Sequence, residues 1–156
     1  MDYKAAFQYH LERNADVTLI STNIEQLGAE HDGCFRIEAD EFGWVHEITN
    51  EKTNRRLFTG VYIINKELLL SLVDQCIARH QDYLFIDGIK QNLTELNVQH
   101  FEYDGYSAFI NTIESYYRHN MNLLSEANYK ELFYKQPFVR TKVSNQPRHL
   151  IVKVQM

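Results

Sequence analysis

The chain has little proline, glycine or cysteine. Both of its prolines, Pro137 and Pro147, fall near the carboxyl end, so residues 136–156 are expected to be a linker or the start of a following domain. Its six glycines, at 28, 33, 43, 60, 88 and 105, stand apart from one another. No G-x-G-x-x-G and no G-x-x-x-x-G-K-[ST] is present, which removes the usual backbone cradles for nucleotide phosphates. The two cysteines, Cys34 and Cys76, are far apart in sequence. Cys76 falls on an apolar helical face, so free thiols and a reducing cytoplasm are expected. No apolar run approaches the roughly 20 residues of a membrane span, and MDYKAAFQYH lacks the basic-then-apolar order of a signal peptide. The net charge is −5 and the basic residues form no run, which argues against a nucleic-acid partner. The seven histidines include no HxxxH or HxH pair, so no zinc site is expected. Cys34 has no His-and-acid signature of a nucleophile beside it.

What is present suits one domain with a sizeable core: 156 residues, 44% hydrophobic and 24% charged. The high aromatic content, 13%, reads as core and rim packing. Met1 to Glu12 reads as an amphipathic helix with Tyr3, Phe7, His10 and Leu11 on one stripe, closed by Asn14 in a left-handed conformation. VTLIS at 17–21 follows as a buried strand. Cys34 to Ile48 reads as a β-hairpin: Phe35, Ile37 and Ala39 alternate with Arg36 and Glu38, and the turn passes through Gly43. FTGVYII at 58–64 is nearly continuous in apolar residues and predicts a central strand covered on both faces. Asn65 caps a helix with Leu68, Leu69, Leu72, Val73, Cys76 and Ile77 on its apolar side. A further helix is expected over Tyr83 to Leu96, with Asp82 as its cap, Asp87 in its first turns and Ile86, Ile89, Leu93 and Leu96 inward. Val98–Tyr103 and Tyr106–Ile110 read as short strands joined at Asp104-Gly105. Asn111 or Thr112 then caps a helix carrying Ile113, Tyr116, Tyr117 and Leu124, and Ser125 caps a last one ending near Phe133. Such a mixture indicates an α/β sheet. The aromatics Phe101, Tyr103, Tyr106, Phe109, Tyr116 and Tyr117 are read as core or subunit-interface packing.

Several segments, taken in order, carry a resemblance. MDYKAAFQYHLERNADVTL at 1–19, GVYIINK at 60–66, DYLFIDGIKQNL at 82–93 and YYRHNMNLL at 116–124 resemble consecutive motifs of glucose-1-phosphate adenylyltransferase, the ADP-glucose pyrophosphorylase family. Pro137 to Thr141 resembles that family's crossover into a left-handed β-helix. The likeness is greatest to the non-catalytic regulatory subunit, with this chain as a central fragment. It implies part of a Rossmann-like, glycosyltransferase-A-like nucleotidyltransferase domain over residues 1–135, with a mixed sheet, flanking helices and a β-hairpin.

The resemblance also says what the chemistry needs. The family joins glucose 1-phosphate to ATP, using two Asp residues for Mg²⁺, a Gly- and Arg-rich loop for the triphosphate and a Lys for the sugar phosphate. The phosphate loop and the first Asp would lie before Met1. The second Asp belongs to a pattern W-[RE]-D-[VI]-G-T; aligned on Thr112, Ser107 stands at the Trp, Ala108 at the charged residue, Phe109 at the Asp and Asn111 at the Gly. Phenylalanine offers a cation no lone pair, so this is a lost metal-ligand position. The sugar-phosphate motif E-K-P is matched by Glu51-Lys52-Thr53, without the proline. Gly60 keeps the family's strand glycine, while Phe58 replaces its small polar residue two positions earlier. The substrate-contact candidates are therefore Glu51, Lys52 and Gly60, with no catalytic residue and no cofactor expected for this chain; Mg²⁺ belongs to catalytic members of the family.

The function implied is a regulatory, non-catalytic cytoplasmic subunit in glycogen biosynthesis, assembling with a catalytic subunit as a hetero- or homo-oligomer and open to a sugar phosphate. Two alternatives stand beside it: an active nucleotidyltransferase whose amino-terminal half is outside this chain, and a non-enzymatic sugar-phosphate binding module. A partial α/β domain is also expected to leave apolar surface or a sheet edge to be covered by association.

Overall fold

The computed structural model describes residues 3–52 and 54–134. The expected second domain at 136–156 lies outside them. Among the described residues, those up to Gly105 form one compact unit and those from Tyr106 to Tyr134 form another. Among the described residues no helix is long and apolar enough to cross a membrane.

The first unit is built on β1 (Val17–Asn23), whose residues from Val17 to Thr22 are all buried. Helix α1 (Tyr3–Glu12) precedes it, and the chain turns between them through Asn14 at φ 46°, as expected. The expected stripe on α1 is corrected. Its buried residues are Ala6 and His10, while Tyr3, Phe7 and Leu11 are exposed. The small Ala6 lets the helix lie close to the sheet, and His10 Nδ1 is 2.9 Å from Thr18 Oγ1 on β1.

The remaining strands are β2 (Arg36–Ala39), β3 (Val45–Thr49), β4 (Arg56–Ile64) and β5 (Val98–Glu102). They make one five-stranded sheet in the order β3-β2-β4-β1-β5. β1 runs antiparallel to β4 and parallel to β5, so the sheet is mixed. The β2–β3 hairpin closes on Asp40, whose Oδ1 accepts from the N–H groups of Phe42 (2.9 Å) and Trp44 (2.8 Å). Gly43 supplies the φ of +89° that this turn requires. The turn also folds onto β5: His100 N–H donates to Gly43 O at 2.9 Å, and Trp44 bridges Gln99. Part of the β5 edge is thereby covered from within the chain.

β4 is central, but the expectation that both its faces are covered is wrong. Only Leu57 and Phe58 are buried, and the strand beyond them is half-buried or exposed. Its pairing is antiparallel on both sides, and an unbroken apolar run does not require two covered faces in such a sheet. Arg36 is also a surprise. The hairpin alternation puts it on the outward side, yet it is completely buried.

Helix α2 (Lys66–Ala78) begins as expected, with Asn65 Oδ1 accepting from Glu67 N–H at 2.8 Å. Leu72 and Cys76 face inward, and Ile77 is exposed. The helix expected over 83–96 is not a continuous α-helix: Leu84–Ile89 is a π-turn and Lys90–Asn92 a 3-10 turn. Asp82 does not cap it; Asp87 Oδ2 accepts from Tyr83 N–H at 3.1 Å instead. Packing explains the irregularity. Phe85 must reach β4, where it stacks on Phe58 with centroids 4.3 Å apart and planes at 6°, while Ile89 stays fully buried. The core of the unit joins Val17, Leu19, Ile37, Val45, Ile48, Phe58, Leu72, Ile89 and Val98. Cys76 is a buried free thiol, and Cys34 Sγ donates to Glu30 O at 3.7 Å.

In the second unit, Thr112 caps α3 (Ile113–Asn122) with a reciprocal pair: Ser115 N–H donates to Thr112 Oγ1 at 3.0 Å, and Thr112 N–H to Ser115 Oγ at 3.1 Å. α4 (Glu126–Phe133) follows Ser125. The expected strand at 106–110 does not form. Tyr106 N–H donates to the Glu131 carboxylate at 3.2 Å, so this segment spends its donor on a helix side chain and joins no ladder. The apolar residues expected to pack from α3 are exposed: Ile113, Tyr116, Tyr117 and, just past its end, Leu124.

His100 on β5 gives the fold a pH dependence. Burial first, then the Arg56 guanidinium, lower its pKa to about 4, against a smaller opposing effect of Asp40. The imidazole is held neutral beside Ser21 Oγ at 3.3 Å. Between pH 6.5 and 4 the unfolded chain therefore binds more protons than the folded one, and stability falls with acidification. His10, lowered mainly by burial, acts in the same direction. We expect the urea midpoint to drop from pH 7 to pH 4.5 and His100→Gln to make that drop smaller; an identical pH slope in the variant would contradict the assignment.

Candidate ligand-binding site

In an α/β sheet, ligands gather outside the carboxyl ends of parallel strands. Here the parallel pair is β1 and β5, and their ends meet the start of β4, with Asn23 opposite Arg56 and Ser21 opposite Glu102. A cavity of about 470 Å³ opens at this place. Its wall carries the carboxylates of Glu25, Glu102 and Asp104, the guanidinium of Arg55, and the polar side chains of Thr22 and Asn23. Tyr103 N–H donates to Ser21 O at 2.7 Å, carrying the parallel pairing one residue past β5. The chain then turns at Gly105, where a Cβ would overlap the Tyr103 ring. Three carboxylates against one guanidinium do not suit a polyphosphate. They do suit hydroxyl groups, to which carboxylates and amides offer hydrogen bonds. From the sequence, only Tyr103 and the Asp104-Gly105 turn were noted here, and then as packing and as a turn. The signal that could have found the rest is positional: each ends or follows a strand of the parallel pair or leads into its neighbour.

The residues singled out from sequence are placed as follows. Glu51 and Lys52 share the connection between β3 and β4. Glu51 N–H donates to Thr49 Oγ1 at 3.1 Å. Lys52 Nζ lies 2.7 Å from Asp32 Oδ1, with both side chains more than half exposed. Lys52 thus already has an anionic partner, although an exposed pair of this kind is worth at most about 1 kcal/mol and yields easily to a ligand.

Gly60 is elsewhere, within β4. The register of β4 against β1 shifts between Leu19 and Ser21, and Gly60 adopts φ +82° at this bulge. Thr59 Oγ1 donates to Ile20 O at 2.8 Å in the same irregularity. No atom lies within 4 Å of a Cβ built on Gly60, so its need is conformational and not steric. Phe58, where the resembled family has a small polar residue, is fixed by its stack on Phe85. Its ring fills that position with packing and offers no hydrogen-bonding atom.

Phe109 belongs to the second unit, in the irregular segment before α3, and is half-buried. The segment is tied by Tyr106, whose hydroxyl is 3.3 Å from His119 Nδ1 and whose pKa is raised by burial. A Mg²⁺ ligand is not available from residue 109, because its side chain has no donor atom. Among the described residues no group of three or more His, Cys, Asp or Glu could hold a metal ion.

No family model matches the chain. Among curated proteins it is 27% identical over 139 residues to glucose-1-phosphate adenylyltransferase of Clostridium novyi, covering 86% of this chain and 36% of that protein. It is 31% identical over 90 residues to the glycogen biosynthesis protein GlgD of Bacillus subtilis, covering 56% of this chain and 25% of that one. The chain thus spans about a third or less of the length of these relatives. Among solved structures, CTP:phosphocholine cytidylyltransferase from Streptococcus pneumoniae shares the fold, with a TM-score of 0.58 at 20% identity over 69% of this chain and 48% of that one.

The bulge is directly testable. Gly60→Ala forces an L-residue into the left-handed region and is expected to cost about 1–2 kcal/mol in chemical denaturation. An unchanged midpoint would show that β4 relaxes without its glycine.

Proposed function

We propose, from its similarity to glucose-1-phosphate adenylyltransferases, that this chain is part of a regulatory, non-catalytic subunit of such an enzyme. In this reading the protein acts in the cytoplasm, in glycogen biosynthesis, beside a catalytic partner that supplies the Mg²⁺ site. The observation that carries the proposal is Phe109. By resemblance this is where the family places a metal-binding carboxylate, and a benzyl side chain stands there instead. Phe58 supports it independently, because packing against Phe85 stands where the resembled family has a small polar group two positions before the strand glycine. Nucleotidyl transfer is catalysed mainly by positioning and charge neutralisation, so a chain one carboxylate short loses the ion that holds the phosphates. The likeness over 90 residues to a glycogen biosynthesis protein supports the pathway part of this reading.

Association supports the reading from another side. Tyr3, Phe7 and Leu11 on α1, and Ile113, Tyr117 and Met121 on α3, present apolar stripes to solvent. A subunit that works through contact with a partner has use for such surfaces. The second reading, an active adenylyltransferase, is favoured by the name of the Clostridium relative. In that case the cavity at the ends of β1 and β5 would be a substrate site.

One assay separates the two. The full-length protein, alone with ATP, glucose 1-phosphate and Mg²⁺, is expected to form no ADP-glucose above the blank, while adding it to a catalytic subunit changes that subunit's apparent substrate affinity or kcat. Turnover by the protein alone would overturn the non-catalytic assignment, and a mixture indistinguishable from the catalytic subunit would overturn the regulatory one.

A further inference from the structure

Arg36, the first residue of β2, is completely buried. Among the described residues no carboxylate forms an ion pair with it. Its charge is met by backbone carbonyls alone. Nε donates to Asn54 O at 3.1 Å, and Nη1 donates to Cys34 O at 3.2 Å and Asn50 O at 3.4 Å. Nη2 is buried and has no hydrogen-bond partner. A guanidinium without a counter-ion is an expensive group to bury, and an apolar side chain would fill the same space at lower cost. What the arginine adds is a rigid fork of donors.

Two of its three acceptors, Asn50 and Asn54, lie on either side of the Glu51–Lys52 turn. The far side of that turn is fixed again by Asn54 itself. Its Nδ2 donates to Ile37 O at 3.1 Å and Glu38 Oε1 at 2.7 Å, and its Oδ1 accepts from Arg56 N–H at 2.8 Å. Arg36 therefore joins the start of β2 to both ends of the connection between β3 and β4.

We infer that Arg36 is a positioning residue: it sets the backbone of the Glu51–Lys52 loop, from which Lys52 meets the phosphate of a sugar phosphate. The ligand half of this inference rests on reading Lys52 as a sugar-phosphate contact; the loop half does not. Asn50, Asn54 and Cys34 present their carbonyls to one buried guanidinium. Without it the loop must turn outward to solvate them.

The test uses the full chain with Arg36→Met and Arg36→Lys, and Lys52→Met as the ligand control. Amide hydrogen exchange is read at residues 50–56 and, for comparison, along β1. Calorimetric titration with glucose 1-phosphate is read alongside. Arg36→Met is expected to speed exchange in the loop about tenfold more than in β1, and to weaken glucose 1-phosphate by about tenfold, the scale of one charge-assisted hydrogen bond. Arg36→Lys, which keeps the charge and part of the bonding, recovers some of both; it also carries the comparison if the Met variant does not fold. Equal acceleration in loop and β1 would show that Arg36 only fills the core, and a loosened loop with unchanged affinity would remove its role toward the ligand. If the unaltered chain takes up no glucose 1-phosphate, the reading of Lys52 fails and the ligand half falls with it, while the exchange data still decide the loop half.

Discussion

Strand β1 hydrogen-bonds along both of its edges, antiparallel to β4 and parallel to β5, with every residue from Val17 to Thr22 buried. The rest of the first unit depends on that double pairing. A parallel neighbour cannot follow through a tight turn, so the hairpin, β4, α2 and the irregular helical turns all lie in the crossover between β1 and β5. The carboxyl ends of β1 and β5 consequently emerge side by side with the start of β4 between Arg55 and Arg56. The polar cavity at that edge is a product of topology first and of side chains second.

The second constraint is aromatic. Phe85 enters the sheet between Phe35 and Phe58, with centroids 5.3 and 4.3 Å away, and Tyr62 completes the group. Seating this ring winds Leu84–Ile89 into a π-turn where regular helix was expected. It also explains how a bulky residue is tolerated at position 58. The two phenylalanines that depart from the family pattern differ in their setting. Phe58 is integrated into a core, whereas Phe109 sits half-buried in an irregular segment ahead of α3.

Elements with strong local signals were legible in the sequence. Asn65 and Thr112 cap the helices they were expected to cap or share in capping, Asn14 ends α1 in a left-handed conformation, and Gly43 closes the hairpin with a positive φ. Burial was less legible, because it depends on partners distant in sequence. Tyr3, Phe7 and Leu11 form a helical stripe, yet the sheet accepts the small Ala6 and His10. Arg36 reads as an outward residue from its alternation and is buried because three carbonyls converge on it. Glu51, Lys52, Gly60 and Phe109 carried no signal of their own and were singled out by resemblance to a family. The cavity wall at Glu25, Arg55, Glu102 and Asp104 carries no motif and emerges only when the sheet order is known.

The account's central claim is that the segment before α3 no longer grips a divalent cation. Manganese, standing in for magnesium, broadens the NMR signals of amides near any site that holds it. Titrating it into the labelled full-length protein in the presence of ATP is the most direct measurement. The account predicts that the amides of Ser107 to Thr112 keep their line widths. Selective broadening of that stretch at low manganese, absent from the rest of the chain, would contradict it.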